Sequence, residues 1–110
     1  MSLHPLDPDV DAEYDRAVGD LGCKGLKLAP GGQLFDPESE EAFRLYARLE
    51  QDGLTVLFHG GVTPKWDAPL MTGHPIVYDR IAMAFPRPKI ILAPLAHPWH
   101  IDCLALVRKH

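Results

Sequence analysis

Thr55-Val56-Leu57-Phe58-His59-Gly60-Gly61 is the stretch that decides how this chain folds. β-Branched and aromatic residues run without a polar interruption and stop at a glycine pair, the pattern of a short strand covered on both faces. Two other runs share its form. Lys24-Gly25-Leu26-Lys27-Leu28-Ala29 ends at Pro30-Gly31-Gly32, and Lys89-Ile90-Ile91-Leu92-Ala93 ends at Pro94.

Helical patterns fill the spaces between. The first helix is expected from about Pro8 to Leu21, with Asp7 as N-cap, Pro8 as the first helical residue and Gly22 as the stop. Val10, Tyr14, Ala17, Val18 and Leu21 recur on its inner face. The second opens on an Asp36 cap and Pro37, carries Ala42, Phe43, Leu45, Tyr46 and Leu49, and stops at Gly53. A third covers Pro75 to Phe85, with Val77, Ile81 and Phe85 on one face. The last begins near Pro98 and ends on Arg108 and Lys109, basic residues that suit a helix C-terminus.

The strand runs begin at positions 24, 55 and 89, spacings that fit βαβ units. Strands alternating with helices at this period imply a parallel sheet with right-handed crossovers. The expected fold class is therefore α/β: three parallel βα units preceded by a helix, in one domain over residues 1–110. A (β/α)8 TIM barrel needs about 250 residues, so the chain is either a partial barrel or a small open α/β domain. A three-stranded sheet has two unpaired edges, and such edges invite pairing. Self-association, or docking of a missing barrel half, follows as an expectation.

Composition narrows the class further. Hydrophobic residues make up 46% and charged residues 24%, ordinary usage for a packed domain. Fifteen acids against 11 bases give a net charge of −4 with no basic stripe, which argues against nucleic acid as a partner. The longest apolar run, Ile90 to Ala96, is too short to span a bilayer, so no membrane partner is expected. Met1-Ser2-Leu3-His4-Pro5 lacks the form of a signal peptide, and Cys23 and Cys103 stand alone. A cytoplasmic location is the expectation.

In parallel α/β folds chemistry sits in the loops after the strands. Those loops are Ala29 to Gly32, His59 to Gly61 and Pro94 to His97. His59 ends an apolar strand, where a neutral imidazole ligates a metal or moves a proton, or else rests against a carbonyl. His97 and His100, at i, i+3, form either a metal pair or a helix cap followed by Pro98 and a packing Trp99. Lys27 shares strand parity with Ala29 and so points toward the same face, as a metal-bridging or anion-contacting group or as an outward-reaching lysine. Gly31-Gly32 and Gly60-Gly61 offer backbone amides to a phosphate, without a GxGxxG or Walker pattern. Glu38-Ser39-Glu40-Glu41 reads as the acidic start of a helix. No serine-centred elbow, HExxH or pair of strand-end carboxylates occurs.

The succession Leu21-Gly22-Cys23-Lys24-Gly25-Leu26-Lys27-Leu28, Val56-Leu57-Phe58-His59-Gly60-Gly61 and Phe85-Pro86 into Lys89-Ile90-Ile91-Leu92-Ala93 and Pro98-Trp99 resembles the middle of an amidohydrolase-related barrel. That branch holds metal-dependent hydrolases and non-oxidative decarboxylases. The resemblance implies a divalent metal, zinc above all, and makes His59 the counterpart of a metal-binding histidine. It also exposes departures. Relatives often read Lys-Leu-His-Pro where this chain has Lys27-Leu28-Ala29-Pro30, and Ala-His-Leu-Gly where it has Ala93-Pro94-Leu95-Ala96. Catalytic zinc takes about three protein ligands, and the matched positions supply one, so tight zinc binding by this chain alone is not expected. The implied function is a segment of a metal-dependent enzyme acting on a small organic acid or amide, by hydrolysis or decarboxylation, inactive by itself. The alternative is a non-catalytic α/β remnant or scaffold that has lost those groups.

Overall fold

Within β2 (Thr55–His59), burial alternates residue by residue: Val56 and Phe58 are fully enclosed, whereas Thr55, Leu57 and His59 are not. A side chain on every second position points to the opposite sheet face, so this one strand divides the molecule into a packed side and an open side. The computed structural model describes residues 1–110. β1 (Gly25–Leu28), β2 and β3 (Ile90–Ala93) form one sheet in that order, all parallel. Lys24, Ala29 and Lys89 fall just outside the strands expected to hold them.

On the packed side, Leu26, Leu28, Val56 and Phe58 meet two helices, α3 (Glu40–Gln51) and α4 (Pro75–Ala84). The Phe58 ring lies 4.7 Å from that of Tyr78 and 5.7 Å from that of Tyr46. Tyr46 is buried with its hydroxyl donating to the Pro37 carbonyl at 3.0 Å, so its polar end carries no desolvation penalty. On the open side, Lys27, Leu57 and Ile91 stand in register across the three strands, and Ile91 is 38% exposed.

The remaining helices differ in detail from their sequence patterns. α1 (Val10–Asp15) starts two residues beyond Pro8 and passes into a π turn at Arg16–Asp20. Asp7 does act as a local acceptor, but for Asp9 N–H at 2.9 Å, which closes a turn before the helix begins. The same thing happens at Asp36, whose carboxylate accepts from Glu38 N–H at 2.9 Å. The cap of α3 is instead Ser39, whose hydroxyl accepts from Ala42 N–H. α5 (His100–Lys109) begins after Trp99 rather than at Pro98, because Ala96 to Trp99 close a turn of their own. Pro30-Gly31-Gly32, expected as a loop, is part of the single-turn helix α2 (Pro30–Gln33). The Gln33 side chain holds that turn by accepting from Ala29 N–H at 2.7 Å and donating to the Leu3 carbonyl at 2.8 Å.

The expectation of two bare sheet edges needs correction. Ser2 forms a parallel bridge with Lys27; Lys27 N–H donates to the Met1 carbonyl, and the Met1 amino group to the Gly25 carbonyl, both at 2.9 Å. The first residues thus cover the outer edge of β1, and only the β3 edge stays free. No helix is long and apolar enough to cross a membrane.

Phe58→Ala removes the ring that joins sheet to both helices. A cost of about 3–5 kcal/mol is expected, a large share of the roughly 5–15 kcal/mol that holds a domain folded. Urea unfolding followed by circular dichroism measures it.

Candidate functional site

His59 is the last residue of β2, and its parity with Leu57 puts it on the open face, away from the helices. Its register partner is Ala93. On the other side, the residue one step beyond the paired Leu28 and Phe58 is Ala29. Methyl groups therefore flank the imidazole, and one of them, Ala29, takes the place where relatives of the resembled family often carry a histidine. The main chain of His59 is fixed from behind: the Tyr78 hydroxyl lies 3.3 Å from the His59 carbonyl and 3.2 Å from that of Thr72 and shares its proton between them. Burial pushes the Tyr78 phenol well above its ordinary range, so it remains a donor.

The glycine pair that follows has a structural task. Gly60 N–H donates to the Ala93 carbonyl at 2.9 Å and Gly61 N–H to the Gly73 carbonyl at 2.8 Å, so neither amide is free for a phosphate. Gly61 sits at φ 104°, and a Cβ there would lie 2.5 Å from the His97 carbonyl oxygen. Val62 N–H donates to that same oxygen at 2.8 Å. The loops after β2 and β3 are thereby locked together at the carboxyl end of the sheet. The other pair, Gly31-Gly32, lies in the four-residue α2 rather than in an open loop, and a Cβ on Gly31 would meet the Thr63 and Thr72 hydroxyls.

The loop after β3 is strained. Leu95 and Ala96 both adopt φ 51°, a left-handed conformation costing about 1–2 kcal/mol for a residue with a Cβ. Ala96 is held there fully buried against Gly60. His97 and His100 emerge from this loop onto the surface with Nδ1 of one 3.4 Å from Nε2 of the other. His97 does not cap α5, which has no side-chain cap. Trp99 packs, as expected, with its ring 4.9 Å from that of His74. Lys27 is exposed on the open face, in line with Leu57. Nowhere do three His, Cys, Asp or Glu side chains gather as metal donors, so His59 and the His97–His100 pair do not converge.

Sequence reasoning passed over His74, which caps α4 by accepting from Ile76 N–H at 3.2 Å. The cue was a histidine directly before Pro75, the place where a cap belongs. It also passed over Gly73, where a Cβ would meet the Gly61 oxygen at 2.0 Å; a lone glycine in a loop carries no such signal.

Comparison with known proteins fixes the class. The model of a protein family described as Amidohydrolase matches residues 2–110, and the chain belongs to that family. Its fold is that of a TIM-barrel segment. An uncharacterized TIM-barrel protein from Bordetella bronchiseptica superposes with a TM-score of 0.84 at 21% identity, over 98% of this chain and 38% of that one. The chain thus spans well under half of that barrel. No curated protein is significantly similar to it in sequence. The resident metal associated with the family does not fit the donors present. A catalytic zinc takes about three protein ligands, and in strand register beside His59 stand Ala93 and, one step past the β1 pairing, Ala29, with no group of three donors gathered there.

Adjacent glycines separate the roles argued above. Gly61→Ala, with φ 104° and a carbonyl in the way, is expected to destabilise by more than about 1 kcal/mol. Gly60→Ala meets nothing closer than 3.5 Å and is expected to change stability by less than half as much. Urea midpoints of the two variants provide the comparison.

Proposed function

We propose that these residues are the central βα segment of a metal-dependent amidohydrolase-like enzyme that hydrolyses or decarboxylates a small organic acid or amide. The observation that carries this reading is the placement of His59: the carboxyl end of the middle strand, on the face that a closed barrel turns inward. A family barrel binds its substrate at that end. Here the chain contributes one imidazole, kept in place by the Tyr78 contact behind it, and the further donors belong to strands outside the segment. The free β3 edge is where such strands add. Cytoplasmic location is part of the same proposal.

A second reading has its own support. Ala29, one step past the β1 pairing and beside His59, stands where relatives often carry a histidine, and Pro94 replaces another with a residue that neither ligates nor transfers a proton. A non-catalytic remnant that keeps the fold would carry such changes.

The purified chain is expected to show no hydrolase or decarboxylase activity and no metal retention that depends on His59. Elemental analysis after dialysis against zinc, for the chain and for His59→Ala, tests this; stoichiometric zinc lost on that substitution would overturn it. Coding DNA on both sides separates the two readings. An adjoining His-x-His segment and a later Asp-bearing strand support the enzyme, and their absence supports the remnant.

A further inference from the structure

Of the six histidines, three are engaged in holding the fold. His4 Nε2 contacts the Gln33 carbonyl at 2.8 Å, His74 Nδ1 caps α4, and His110 Nε2 lies 2.8 Å from Asp79. His59 stands by itself. The remaining two face one another, and their spacing is informative. Two nitrogens bound to one tetrahedral zinc at 2.0–2.1 Å are about 3.3–3.4 Å apart. His97 Nδ1 and His100 Nε2 are 3.4 Å apart.

We propose that His97 and His100 form a rim site for a divalent transition metal, zinc or copper, separate from His59. The backbone beneath them is fixed before any ion arrives. The His97 carbonyl accepts from Val62 N–H at 2.8 Å and its N–H donates to Pro94; Ala96 is fully buried just before it. His100 opens α5, which buried Cys103 anchors to the core and whose preceding Trp99 packs on His74. Little backbone ordering is left to accompany binding.

The proton balance is simple. The contact between Nδ1 and Nε2 requires one proton between two nitrogens. On metal binding that proton moves, through solvent, to the outer nitrogen of its own ring, and each neutral imidazole presents a lone pair to the ion. Nothing is oxidised and no net proton is released. Both rings are exposed, so the other coordination positions stay open to water or to a small carboxylate. The site lies at the carboxyl end of the sheet, the same end as His59, where an anionic ligand would add to the metal.

Titration of the dialysed chain with zinc chloride in a calorimeter, and with copper(II) chloride followed by electron paramagnetic resonance, tests the proposal. One saturable equivalent with nitrogen hyperfine structure is expected. His97→Ala and His100→Ala are each expected to weaken it about tenfold or more, and His59→Ala to leave it unchanged. In the unaltered chain, copper is expected to broaden the imidazole proton resonances of His97 and His100 before those of the other four histidines, a readout independent of how any variant folds. Absence of a saturable site, indifference to both rim substitutions, or loss on His59→Ala would each overturn it. The last result alone would also contradict the one-donor account of His59.

Discussion

The wedge of Phe58 between Tyr46 and Tyr78 is the constraint on which the rest of the molecule depends. Three rings at 4.7 and 5.7 Å commit one face of β2 to the helices, and strand geometry then leaves no choice for its neighbours. Leu57 and His59 must face the other way. A slip of one residue would bring the imidazole into the aromatic layer and drive Phe58 into water, so hydrophobic burial enforces the position of the one polar group at the strand end. Tyr78 links the two tasks, since its ring packs on Phe58 while its hydroxyl meets the carbonyl of His59.

Most of the architecture was legible because its signals are periodic. Apolar runs at positions 24, 55 and 89, separated by helical patterns, predict three parallel strands, and three are present. β2 has the bounds its residues imply. Errors cluster where short polar side chains had a nearer partner. Asp7 and Asp36 each bond an amide two residues on, closing turns ahead of the helices they were expected to cap. α2 was hidden because proline and two glycines read as a breaker, and its hold is the Gln33 side chain, a tertiary contact to Leu3. The edge pairing of Met1 and Ser2 was hidden for a like reason: two or three residues have no period to detect.

The site was less legible than the frame. His59 announces itself by ending an apolar strand, but spacing gives no account of the methyl groups at Ala29 and Ala93 beside it until register is known. The glycine pair illustrates a different limit. Gly60-Gly61 suggests a phosphate loop in sequence, whereas its amides are occupied and its lack of side chains answers to the His97 carbonyl pressed against Gly61. The His97–His100 contact belongs to the same class of fact. An i, i+3 spacing permits it, and a buried, left-handed Ala96 brings it about.

The Trp99–His74 contact makes the joint between α4 and α5 visible to light. The chain has two tryptophans, and the other, Trp66, is 96% exposed. One indole therefore emits as a fully hydrated fluorophore, while the second is partly shielded and lies against the His74 imidazole. Loosening of the joint alters only the second signal, so an intrinsic optical probe of this corner comes with the native residues and needs no label.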